Sequence, residues 1–80
     1  MIEAGRGFED QMARVKAVSN ASSKNFEMMR KEAARLGFTT KYSARQAAAA
    51  LENLVRNGLS ATKATKALSS VLQLAGANAI

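Results

Sequence analysis

No proline interrupts this chain, and 17 of its 80 residues are alanine. Alanine is the strongest intrinsic helix former, and proline the strongest breaker. Such a sequence is steered towards helix along its whole length, with glycine and serine left to provide the stops. The same feature limits what the helices can bury. Hydrophobic residues make up 48% of the chain, but the larger ones are spread thinly and the aromatics are only Phe8, Phe26, Phe38 and Tyr42. Each large side chain contributes about 1.5–3 kcal/mol when fully buried, and alanine much less. Eighty residues hold one small domain at most, and a thin core at this size gains from self-association.

The spacing of apolar residues predicts three to four helices. From Phe8, the positions Phe8, Met12 and Val15 fall on one face, with Gly5 and Gly7 loosening residues 1–7 as a flexible N-terminus. Asp10 and Arg14 are spaced for an i,i+4 ion pair. Ser19–Ser23 is a break rich in capping residues. A second helix, about Lys24 to Leu36, carries the stripe Phe26, Met29, Ala33 and Leu36, with Glu27–Lys31 and Glu32–Arg35 opposite and Met28 left for a partner. Gly37 stands where a C-terminal glycine would stop it, and Phe38 and Tyr42 in the following linker are expected to fold back onto the helices.

Ser43 opens the third helix. Gln46 follows three residues later, the capping-box pattern in which each side chain serves an orphaned backbone N–H. Its apolar face is Ala44, Ala47, Ala48, Leu51, Leu54 and Val55, and Gly58 ends it. Ser60 caps a fourth helix bearing Ala61, Ala64, Leu68, Val71, Leu72 and Ala75, stopped near Gly76. A shift of 17 residues lays one helix on the other: Ser43 on Ser60, Ala47 on Ala64, Leu51 on Leu68, Leu54 on Val71 and Val55 on Leu72. The fold class is therefore all-α, a loose bundle or an elongated array, with a C-terminal antiparallel hairpin of about 44–57 and 61–75. The structural core is assigned to Phe8, Met12, Phe26, Met29, Leu36, Leu51, Leu54, Leu68, Val71 and Leu72.

Chemistry is scarce. With no cysteine and no histidine, thiolate zinc sites, thiol nucleophiles, disulfides and imidazole acid/base chemistry are all excluded. A cytosolic protein would fit. The six carboxylates are scattered; Glu9 and Asp10 are neighbours turned about 100° apart on a helix, and Glu27 and Glu32 diverge likewise. Gly5 and Gly7 match no phosphate-loop spacing. The serines lack a base and serve as caps. No catalytic residue, cofactor or metal is expected, and no small-molecule substrate. The net charge of +6 suggests an anionic partner or a solvated basic surface. Lys41, Arg45, Arg56, Lys63 and Lys66 could border one surface around helices three and four. Thr62, Lys63 and Lys66 would touch phosphates and, with Ala61 and Thr65, read few base edges, so nucleic-acid binding would be non-specific. MIEAGRGFED lacks a secretory signal pattern. The longest uncharged run, Ala67–Ile80, is shorter than the ~20 residues of a membrane span. The mostly alanine faces also make a poor membrane-surface anchor.

Taken together, the blocks FEDQMARVKAVSNAS (Phe8–Ser22), FEMMRKEAARLG (Phe26–Gly37), TTKYSARQAAAALENLVRNGLSATKATKAL (Thr39–Leu68) and VLQLAGA (Val71–Ala77) resemble the core region of phage tail tape measure proteins. Arg45 and Gln46 stand after Ser43 where relatives often carry acidic residues. The resemblance implies a long, helical, oligomeric protein filling the tail tube lumen and setting tail length, with tail tube protein and tail assembly chaperones as partners. It would reside in the virion, and in host cytoplasm during assembly. A single helix of 80 residues would reach about 120 Å, too short for that task. The chain therefore reads as one helical fragment, residues 1–80, of a longer tape measure protein: an excised piece or a truncated prophage remnant. The alternative is a small basic helical DNA-binding module.

Overall fold

A computed structural model describes the backbone of residues 3–78 and the side chains of residues 7–73. Within these, four helices follow in order: α1 (Glu3–Ser19), α2 (Ser23–Thr39), α3 (Ala44–Arg56) and α4 (Ala61–Asn78). The expected all-α class holds, with four helices instead of three.

Each joint is written into local side chains. Asn20 takes a left-handed conformation at φ 53° and donates its N–H to the Lys16 carbonyl at 3.1 Å, ending α1. Asparagine tolerates that region better than most residues. Ser22 then caps α2, its hydroxyl accepting from the Asn25 N–H. The capping box at α3 forms as expected: the Gln46 N–H donates to Ser43 Oγ at 3.1 Å, and the Ser43 N–H to Gln46 Oε1 at 2.8 Å. Replacing Ser43 by alanine removes one of these bonds and frees the other, and is expected to cost about 0.5–2 kcal/mol. Chemical denaturation of the variant checks this; an unchanged midpoint refutes it.

The end of α3 is a Schellman turn. The Gly58 N–H donates to the Val55 carbonyl at 2.9 Å and the Leu59 N–H to the Leu54 carbonyl at 3.3 Å, with Gly58 at φ 101°. That conformation is one a side chain resists, so glycine is needed there. Leu54 and Leu59 both lie against the core beside it. Ser60 caps α4 in turn, accepting from the Lys63 N–H.

α3 lies at the centre, packed on α1, α2 and α4, while α4 also packs on α2. The core consists of Met12 and Val15 from α1, Met29, Ala33 and Leu36 from α2, Ala47, Ala48, Leu51 and Val55 from α3, and Ala64, Leu68 and Leu72 from α4. Alanine at the contacts lets helix axes come close, so that a few large side chains fill the space between them. The 17-residue correspondence is visible in the packing, since Ala47 and Ala64, Leu51 and Leu68, and Val55 and Leu72 are all buried. A radius of gyration of 11.7 Å, with extents of 36 × 31 × 18 Å, is that of a compact chain. At this length about 12 Å is expected of a closed globule. The bundle alternative is therefore correct and the elongated array is not.

Several sequence expectations are corrected. α1 runs through Gly5 and Gly7 from Glu3, so the glycines lie within the helix; Met1 and Ile2 fall outside the described residues. α2 continues through Gly37 to Thr39 and ends at an extended Thr40. Gly37 is small for a different reason: a Cβ there would lie 2.7 Å from the Ala44 amide nitrogen and 2.9 Å from its Cα. Phe38 does not fold back but stands 91% exposed on the last turn of α2, whereas Tyr42 does pack on the core. Val71, assigned to the core, is 48% exposed. Phe8, Phe26 and Leu54 cover the core without being fully buried. α4 passes Gly76 to Asn78, and the side chain of Ala75 lies outside those described.

Candidate functional site

The polar side chains were searched for any arrangement that could do chemistry. Among the described residues, three carboxylates are engaged with arginine. Glu9 on α1 pairs with Arg30 on α2, Glu32 with Arg35 along α2, and Glu52 with Arg56 along α3. Gln11 also donates its side-chain N–H to Glu52, tying α1 to α3. Arg30 lies over the Phe8 ring at 5.8 Å and Lys16 over the Phe26 ring at 5.4 Å, so cation–π contacts also bridge α1 and α2. Of the pairs expected from spacing, Glu32–Arg35 forms, while Asp10–Arg14 and Glu27–Lys31 do not come within bonding distance. Arg30 and Gln11 were missed, because their partners lie 21 and 41 residues away and no local spacing announces them.

These contacts hold the carboxylates ionised. The Arg30 hydrogen bond lowers the pKa of Glu9, Arg35 does so for Glu32, and Arg56 followed by Gln11 for Glu52, each below the ordinary value of 4.5. A general acid needs the opposite shift. The arrangement is one of struts between helices. Because the folded pKa values are depressed, their contribution to stability is present above about pH 4.5 and disappears as pH falls through the lowered values. Protonating all six carboxylates also moves the net charge from +6 towards +12. Acidification from pH 7 to pH 3 is thus expected to lower Tm, and by less in a Glu52→Gln variant, which has one acid-sensitive strut fewer. Equal drops in both would show that Glu52 adds nothing.

No buried polar or charged side chain and no cluster of three potential metal ligands occurs among the described residues. No helix among them is long and apolar enough to cross a membrane. The largest concavity is an open groove of about 530 Å³ between α2 and α4, lined by Lys24, Glu27, Met28, Lys31, Glu32, Arg35 and Thr65. Met28, half-buried, lies in this groove as a partner-facing residue would.

The five cations proposed to border one surface, Lys41, Arg45, Arg56, Lys63 and Lys66, are all exposed. Two have other engagements, since Arg56 is held by Glu52 and the Arg45 side chain lies beside Gly7. Thr62 is exposed at the start of α4, while Ala61 packs on the core. Thr65 donates its hydroxyl to the Ala61 carbonyl at 2.8 Å and lines the α2–α4 groove. The front of α4 therefore offers Thr62, Lys63 and Lys66, a set suited to phosphates and poor at distinguishing bases.

The chain is similar to a tape measure protein of Pneumococcus phage Dp-1, with 36% identity over 74 residues. The match covers 92% of this chain but spans 6% of the length of that relative. No family model matches the chain. No solved structure matches it. The alignment bears out the resemblance to tape measure proteins read from the blocks between Phe8 and Ala77.

Proposed function

We propose, with kinship to one stretch of a phage tape measure protein as the premise, that this chain is structural material of a phage or prophage tail. It acts as a helical segment of the tape measure that fills the tube lumen and adds its span to tail length. The similarity through 92% of the chain carries this reading. It is supported by a fold whose polar groups brace helices and whose interior is wholly apolar among the described residues. On this reading the chain turns over no substrate, tail tube protein and assembly chaperones are its partners, and it works in the virion after assembly in the host cytoplasm.

The test is tail length. An in-frame deletion of these 80 residues from the gene that encodes them should give shorter tails in electron micrographs. The loss should be about 36 Å if the segment sits in the tube as the folded bundle. It should approach about 120 Å if the segment is drawn out as continuous helix. An unrelated helical insert of equal span should restore the length. Unchanged tails after deletion would overturn the reading. The alternative, a small basic DNA-binding module, rests on charge; site-selective duplex binding that survives added salt would displace the tape measure in its favour.

A further inference from the structure

The outer face of α2 carries an unusual combination. Phe38 is 91% exposed at its C-terminal end. At helical spacings of three and four before it come Arg35, Lys31, Met28, Glu27 and Lys24, which share the wall of the open groove. An aromatic ring left in water beside a partly buried methionine marks a surface built to be covered.

The order of charges identifies the cover. Lys31 lies midway along the face, and the residues on either side are complementary. Laid antiparallel on itself about Lys31, α2 sets Glu27 against Arg35 of the second copy and Lys24 against its Phe38. Each contact occurs twice by symmetry. Met28 then meets Ala34, which is small enough to admit it. A parallel arrangement would set every charge against itself. Sliding the antiparallel pair by one turn would oppose Lys24 to Arg35 in one direction and Lys31 to Arg35 in the other. One register satisfies the charges.

We propose that this face is a homodimer interface, in which two copies of the chain pair antiparallel through α2 about a twofold axis at Lys31. The inference rests on the charge order and on Phe38, and is independent of the tail reading. From Lys24 to Phe38 the strip is about 21 Å long. A strip of that size falls below a standard interface, so a Kd on the order of 10–100 µM is expected.

Sedimentation equilibrium of the 80-residue chain between 10 µM and 1 mM tests it. The wild type should move from monomer to dimer across this range. Phe38→Glu should remain monomeric with unchanged circular dichroism, because the ring makes no core contact. Val71→Glu, on α4, should still dimerise. Glu27→Arg and Arg35→Glu should each weaken the dimer at least fivefold, and the double variant should recover it. Orientation is read by cysteine, which the chain lacks: oxidised Lys31→Cys should cross-link to itself, and Lys24→Cys should not. A wild type monomeric at 1 mM would overturn the proposal. So would a dimer indifferent to Phe38→Glu, or efficient self-cross-linking of Lys24→Cys.

Discussion

Leu51→Asp is expected to abolish the folded state. Leu51 is fully buried on α3, the helix that touches all three others. Truncating a buried leucine to alanine typically costs about 2–5 kcal/mol. Aspartate loses the same contacts and adds an ionised carboxylate with no buried polar group nearby to receive it, at a further cost of several kcal/mol. A domain of this length has about 4–12 kcal/mol in total, so the variant should show little far-UV helicity and no cooperative transition. Leu51→Ala should keep a transition at a lower midpoint. A Leu51→Asp chain with wild-type helicity and melting would mean that the centre of the bundle lies elsewhere.

The second large effect is expected at Gly37, and it runs against helix propensity. Within a helix, alanine is favoured over glycine by about 1 kcal/mol. At Gly37 the added methyl would meet the backbone of Ala44 at 2.7–2.9 Å, and backbone at the start of α3 has little room to yield. Overpacking of this kind costs about 1–3 kcal/mol or somewhat more, so Gly37→Ala should be destabilising on balance. With ~4–8 °C per kcal/mol in a domain this small, a Tm lowered by about 4–15 °C is expected. Gly7→Ala supplies the opposite sign. Its methyl would come 3.2 Å from the Arg45 side chain, which is exposed and can swing away. The propensity gain should then show as a Tm raised by a few degrees. If both variants shift Tm in the same direction, the close approach of α2 and α3 at Gly37 is refuted.

These two glycines show where sequence reading succeeds and where it stops. Ser43 with Gln46, Gly58 before Leu59, and Ser60 could all be read in advance, because a cap is a bond between residues three or four apart. The core stripes of α1 and α3 were legible for the same reason. Gly37 was misread as a stop because the atom that forbids a side chain there belongs to Ala44, across a turn whose geometry no local pattern fixes. Phe38 and Val71 failed in another way. Apolar character says that a residue can be covered, but not that this chain contains the cover. The struts Glu9–Arg30 and Gln11–Glu52 depend on which helices become neighbours, and so were invisible until the bundle was assembled. At the candidate interface, Met28 was already singled out as partner-facing, while the charge symmetry about Lys31 gained meaning only once that face of α2 proved open.

Because Ser22, Ser43 and Ser60 each start a helix from within their own few residues, the segments need no distant information to begin winding. Helical turns of this kind form in about 0.1–1 µs, and chains dominated by near-neighbour contacts complete their folding in microseconds to milliseconds. A chain built this way, pulled straight by an applied force, would coil again almost as soon as the tension was released.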